Sequence, residues 1–194
     1  MQNLKYSKIY NLIFNIFRKI GSDMHTAKSI AEGLSYASLR GIDSHGIRLL
    51  PKYVNFALNK RKNIKPKMKV YRKFPSLISI DADHAFGHAA GYFAMKKGSQ
   101  IAKKNGICAI SVFNSTHPGA MSSIVTNVTQ NNLIGIGFTN ADPLILSYNG
   151  KESFFGTNPL CFAFPRKNKT EPFCLDMATS KITWNKLNMI KSKN

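Results

Sequence analysis

Apolar residues in the opening segment recur at Ile9, Leu12, Ile13, Ile16, Phe17 and Ile20, steps of three and four that place one stripe on a helix over 4–20. Gly21-Ser22-Asp23 stops that helix and caps the next. Ala27, Ile30, Ala31, Leu34 and Ala37 then predict a helix over 24–39, with small residues that permit close packing, and Gly41 ends it. A third helix is expected from Ser44 toward Asn59, with Pro51 as a kink or a late start. Beyond the helices the period changes. SLISID (76–81), ICAISVF (107–113) and LIGIGF (133–138) have strand composition, the second reading as buried, and helices are expected between them over 86–105 and 119–130. Short strands at 144–146, 159–164 and 173–175 follow with no long helix between them. The expected fold is α/β: a helical unit over 1–60, then a mixed-sheet α/β domain over 61–194.

Composition changes this picture mainly through charge. Twenty-eight Lys and Arg face nine Asp and Glu, a formal net charge of +19. Such an excess attracts polyanions and brings nucleic-acid binding into consideration. The densest run, from Lys60 to Lys73 (KRKNIKPKMKVYRK), holds one aromatic residue, Tyr71, where a single-strand binder interleaves several. A solvated loop entering a lysine-guarded edge strand is the favoured reading of it. Cys108, Cys161 and Cys174 are odd in number, lack metal-ligand spacing and lie in apolar runs. They read as buried free thiols of a reducing compartment, with no metal site. The apolar run 12–17 is short and broken by Asn15, unlike a signal peptide, and no run approaches the roughly twenty apolar residues of a membrane span. A cytoplasmic protein is the expectation.

Candidate chemistry sits on loops. The stretch 41–53, GIDSHGIRLLPKY, sets Ser44 and His45 against Gly46, with Asp43 before and Arg48 after. Asp43 or Ser44 is a candidate N-cap, so these groups should stand where a loop enters a helix and backbone N–H groups point at a ligand. On spacing alone the plainer reading, a capped surface helix with a solvated histidine, is favoured. His117 follows one predicted strand, Asn140 and Asp142 another. Thr157 and Asn158 precede a third, and Asp176 ends the last, with Thr179 and Ser180 just after. Strand ends are where α/β proteins build sites. No triad order, zinc spacing or glycine fingerprint for a dinucleotide joins these groups.

In this order and at these intervals, GIDSHGIRLLPKYV, ISVFNSTHPGA, GIGFTNADP, FFGTNPLCFAFP and FCLDMATS resemble the malate/L-lactate dehydrogenase family, and DADHAFGHAAGYFAM resembles the start of that family's central domain. The resemblance covers nearly the whole chain. It implies a non-Rossmann fold, NAD or NADP as cofactor, and a small 2-oxo or 2-hydroxy acid as substrate. It also implies a homodimer. By resemblance His45 and His117 are the proton donors and acceptors, either of which can be the principal one. Ser44, Arg48 and Tyr53 fall on the substrate side. Ala141, Thr157, Asn158, Asp176, Met177 and Ala178 fall on the cofactor side. Relatives carry an arginine at the place held here by Leu49. Arg48 stands one residue earlier, a shift of about 100° around a helix. Family chains also run well past this one, whose last stretch, 181–194, is polar with Trp184 and Leu187 as its apolar anchors. A truncated and inactive dehydrogenase is therefore one expectation. The rival readings are a nucleic-acid binder using the basic run and a non-catalytic remnant serving as an interaction module.

Overall fold

The computed structural model describes residues 4–167 and 170–191. The chain divides into two compact units, Met1–Ile124 and Val125–Asn194.

The first unit begins with two helices that pack on each other, α1 (Tyr6–Lys19) and α2 (Met24–Leu39). Asp23 caps α2, its carboxylate accepting the Thr26 N–H at 2.7 Å. All five apolar positions that predict α2 are fully buried. In α1 only Ile13 and Phe17 are buried, and Leu12 is 51% exposed, so the inward arc is narrower than the stripe suggested. The third helix starts late. After Gly41 the chain makes two 3₁₀ turns, Asp43–His45 and Ile47–Leu49, and α3 (Leu50–Leu58) begins with Pro51 in its first turn. Proline has no N–H to give and suits that position, whereas inside a helix its ring would clash. Neither Asp43 nor Ser44 caps a helix, correcting that expectation. These helices close a core of Ile13, Phe17, Ile30, Leu34 and Tyr53, joined by Phe86.

A three-stranded sheet completes this unit. β1 (Lys69–Phe74) pairs antiparallel with β2 (Leu77–Asp81), and β2 pairs parallel with β3 (Ala109–Phe113) through the crossover helix α4 (Gly87–Asn105). The sheet is mixed, as expected. Ile78 and Ile80 of β2 are buried with Ala94 of α4. β1 is an exposed edge strand, so the basic run is a loop and an edge. β3 is not the buried strand its composition suggested. It is the other edge, and Val112 and Phe113 stay exposed.

Instead of one helix over 119–130, the chain forms α5 (Met121–Val125) and a 3₁₀ segment, Thr126–Asn131. Thr129 spends its hydroxyl on the Thr126 carbonyl (2.7 Å), the local bonding by which Thr and Asn disfavour helix interiors. The second unit carries an antiparallel sheet ordered β4-β7-β8: β4 (Gly135–Phe138), β7 (Leu160–Phe164) and β8 (Phe173–Met177). A two-stranded ribbon, β5 (Ile145–Leu146) with β6 (Ser153–Phe155), precedes β7. The sequence pattern did not mark β6. Cys161 is buried, but Cys108 and Cys174 are half-buried, so only one thiol matches its expected burial. α6 (Trp184–Lys191) ends the described chain with Leu187 half-buried, and the Trp184 side chain lies outside what is described. No helix among the described residues is long and apolar enough to cross a membrane.

Replacing Asp23 by Ala removes the α2 cap and should cost about 1 kcal/mol of stability in urea titration, with Asp23→Asn near the parent.

Candidate active site

The Ser44-His45-Gly46 turn leaves α2 and folds back onto it. Gly46 makes this possible, because a Cβ there would overlap the Ser38 hydroxyl, which itself accepts the Ile47 N–H at 2.9 Å. Ser44 Oγ lies 2.8 Å from Nδ1 of His45 and fixes that ring. His117 comes from the loop after β3, which turns through Asn114 (φ 51°) and Gly119 (φ 75°). The two rings stack, centroids 5.2 Å apart at 24°. Nδ1 of His117 accepts the Gly119 N–H at 3.3 Å and lies 3.5 Å from the Tyr53 hydroxyl. An acceptor Nδ1 leaves the proton of the neutral ring on Nε2, a donor for a ligand oxygen. His117 is crowded by its neighbours yet keeps an exposed side within a ligand's reach, while Tyr53 is buried beneath it. Arg48 is exposed on the second 3₁₀ turn.

Sequence reasoning missed a third imidazole. His88, in the first turn of α4, is fully buried, with its ring 5.7 Å from that of Tyr53. Neither of its nitrogens has a hydrogen-bond partner. Gly33 of α2 and Gly119 of the His117 loop press against this ring, and a Cβ at either would overlap it. His88 thus braces both groups that contact Nδ1 of His117. The available signal was its setting: GHAAG, a histidine among residues too small to shield it. Burial and the neighbouring rings of His117 and His45 hold His88 down, from 6.5 to about 3. Desolvation is also the main cause that lowers His117, to about 4, with the charges of His45 and Lys52 adding to it. Burial raises the Tyr53 hydroxyl.

The second unit gathers the other expected residues by topology. β7 runs antiparallel to β4 and β8, so its start lies beside the ends of both, and Phe138, Leu160 and Met177 share a row. Beyond that row the Ala141 N–H donates to Asn158 Oδ1 (3.0 Å), and the Thr179 N–H and hydroxyl both reach the Thr157 carbonyl (2.9 and 3.0 Å). Gly156 lets the loops touch, because a Cβ there would overlap the Ala141 carbonyl. Asp176 and Ala178 flank Met177 and are half-buried. Ala141, Thr157, Asn158, Asp176, Met177 and Ala178 therefore share one end of this sheet, in a different unit from His45, His117, Ser44, Arg48 and Tyr53.

Residues 4–194 match the sequence profile described as malate/L-lactate dehydrogenase. The chain belongs to that family. It is 38% identical over 186 residues to a malate dehydrogenase of Pyrococcus abyssi, covering 96% of this chain and 51% of that one. It is 32% identical to a ureidoglycolate dehydrogenase (NAD(+)) of Escherichia coli O157:H7, covering 96% and 53%. Among solved structures, the malate dehydrogenase of Pyrococcus horikoshii OT3 superposes with a TM-score of 0.91 at 36% identity, covering 96% of this chain and 53% of its own. The chain spans about half the length of the curated relatives it matches. The observed fold, mixed α/β, is the one shared with that structure.

Because His88 fills the space against Gly33, Gly33→Ala should cost about 1–3 kcal/mol by urea titration. In a His88→Ala background the same change should be neutral or favourable, since alanine otherwise suits a helix interior. A pH series gives a second check. Between pH 6.5 and 3 the unfolded chain protonates imidazoles that the folded chain keeps neutral. Stability should hold above pH 6.5 and fall steadily toward pH 4 and 3, and His88→Gln should make the fall shallower.

Proposed function

We propose that this chain is the part of a nicotinamide-dependent dehydrogenase of small 2-hydroxy acids that carries its acid–base pair. The observation that supports this most is the stacking of His45 on His117 in a member of this family. In carbonyl reduction, His117 Nε2–H binds the substrate's carbonyl oxygen, and the pair, having taken up one extra proton from solvent, releases it to the new alkoxide and returns to two neutral rings. In the reverse direction the pair accepts the hydroxyl proton. The resting neutral ring suits the accepting role, and in the donating direction the one extra proton, shared with His45, is the one released. Ser44 holds His45 in place. The cations Arg48 and Lys52 offer a partner for the acid's carboxylate, and Tyr53 carries His117 from below.

The cofactor, NAD or NADP, supplies hydride when bound. Ala141, Thr157, Asn158, Asp176, Met177 and Ala178 are proposed to hold it. The chemistry of that set fits: backbone amides and a hydroxyl for the carboxamide and ribose, one carboxylate for a ribose hydroxyl, and an apolar thioether against the ring. By the same reading the protein is cytoplasmic and forms a homodimer. Nothing on the chain favours nucleic acid over this reading.

The test is oxidation of NADH or NADPH with pyruvate, oxaloacetate or glyoxylate, by this chain mixed with the unmatched half of a relative. Turnover is expected from the mixture, and His117→Asn should lower kcat by about 10²–10⁴-fold while leaving NADH affinity, read by fluorescence, unchanged. Absence of both turnover and NADH binding in an assembled mixture would refute the assignment.

A further inference from the structure

The crossover helix α4 covers only part of the sheet it packs on. Across β1 and β2, Val70 lies opposite Ile80 and Arg72 opposite Ile78, so these four share one face. Ile78 and Ile80 are buried with Ala94 of α4, whereas Val70 is 41% exposed and Arg72 is open to solvent. The helix stops short of the edge strand and leaves a cleft of about 570 Å³ beside it, within the first unit. Val70, Pro75, Ile78 and Ile101 give the cleft an apolar lining. Asn105 ties the end of α4 to the β1–β2 turn, its Nδ2 donating to the Pro75 carbonyl at 2.9 Å and to Ser76 Oγ at 3.2 Å.

The charges on this cleft are of one sign. Lys97, Ile101 and Lys104 continue the helical stripe that holds Ala94, so two lysines stand where a sheet-packed helix normally carries apolar residues. Arg72 joins them from β1, and no Asp or Glu lines the cleft among the described residues. Lys97 also leans on Phe93, its Nζ 5.6 Å from the ring centroid. A lysine-rich composition scatters cations over solvated faces. It does not account for three cations, from a strand and a helix, lining one apolar hollow. An anion there would relieve their mutual repulsion. The volume is that of a small-molecule site, within about 300–1,000 Å³. Guanidinium and ammonium groups suit phosphate oxygens, and the apolar lining suits a flat ring. The Gln100 amide and the Asn105 Oδ1 offer hydrogen bonds to the edge of a base. We infer that this cleft binds a nucleoside polyphosphate. It is separate from the residues proposed for NAD or NADP, which belong to the second unit. It also lies away from His117, which follows the end of β3, whereas Pro75 and Asn105 precede β2 and β3. The inference does not depend on the hydride-transfer reading.

The experiment is calorimetric titration of the 194-residue chain with ATP and with GTP, and with adenosine and sodium tripolyphosphate as the separate halves of the ligand. One saturable site is expected for at least one nucleotide, with each half binding at least about 10-fold more weakly. Arg72→Gln and Lys104→Gln should each weaken nucleotide binding about 10-fold or more, with circular dichroism unchanged. Lys28→Gln, which removes the same charge from the exposed side of α2, should leave it unchanged. Four results would overturn the inference: no saturable binding of either nucleotide, tripolyphosphate binding as tightly as ATP, binding indifferent to both cleft variants, or an equal loss from Lys28→Gln. The last is what diffuse attraction by the +19 charge would give.

Discussion

Two imidazoles stacked at 5.2 Å cannot both hold a proton at neutral pH without strong mutual repulsion, and the arrangement around His45 and His117 follows from that constraint. Desolvation is the main cause that keeps His117 neutral. His117 takes a backbone N–H on Nδ1, which sets its tautomer. His45 is held through Ser44, its neighbour in the chain. An oriented histidine open on one side takes a proton from a hydroxyl when neutral and hands one to an alkoxide when protonated, so the pair cycles between neutral and singly protonated.

Holding the pair in place falls to residues with no side chain to offer. Gly46 lets its turn fold onto α2, Gly33 opens a slot in that helix, and Gly119 brings the His117 loop against the ring in that slot. That ring, His88, is polar and buried, and leaves its nitrogens unbonded, which a stability argument alone does not account for. Its value is positional: it sets the height of the loop and of Tyr53 beneath His117. The residues assigned to the cofactor depend on a different constraint, the antiparallel pairing that sets the start of β7 beside the ends of β4 and β8.

Much of this was legible in the sequence. The helical stripes gave α2 its full extent and α1 within two residues at its start, and the apolar runs located β2, β4, β7 and β8. The five ordered motifs pointed to the family and to both stacked histidines. What was not legible depends on neighbours distant in the chain. Leu12 fits the helical period, but only packing against α2 reveals that the buried arc stops short of it. β3 has a buried strand's composition but borders the sheet. Threonine and asparagine redirected the segment after Val125 into a 3₁₀ path. His88 carries no motif of its own, and its place emerges only when Gly33 and Gly119 close around it.

The cleft beside α4 fits the same picture, since spacing placed that helix but not the strand that its lysines would face. The account as a whole depends on the histidine pair, and nuclear Overhauser contacts between ring protons in the 194-residue chain, assigned from ¹³C- and ¹⁵N-labelled histidine, examine it most directly. Cross-peaks between the His45 and His117 rings are the predicted result, with His117 still neutral at pH 6. Absence of any contact between them, together with titration of His117 near 6.5, would contradict it.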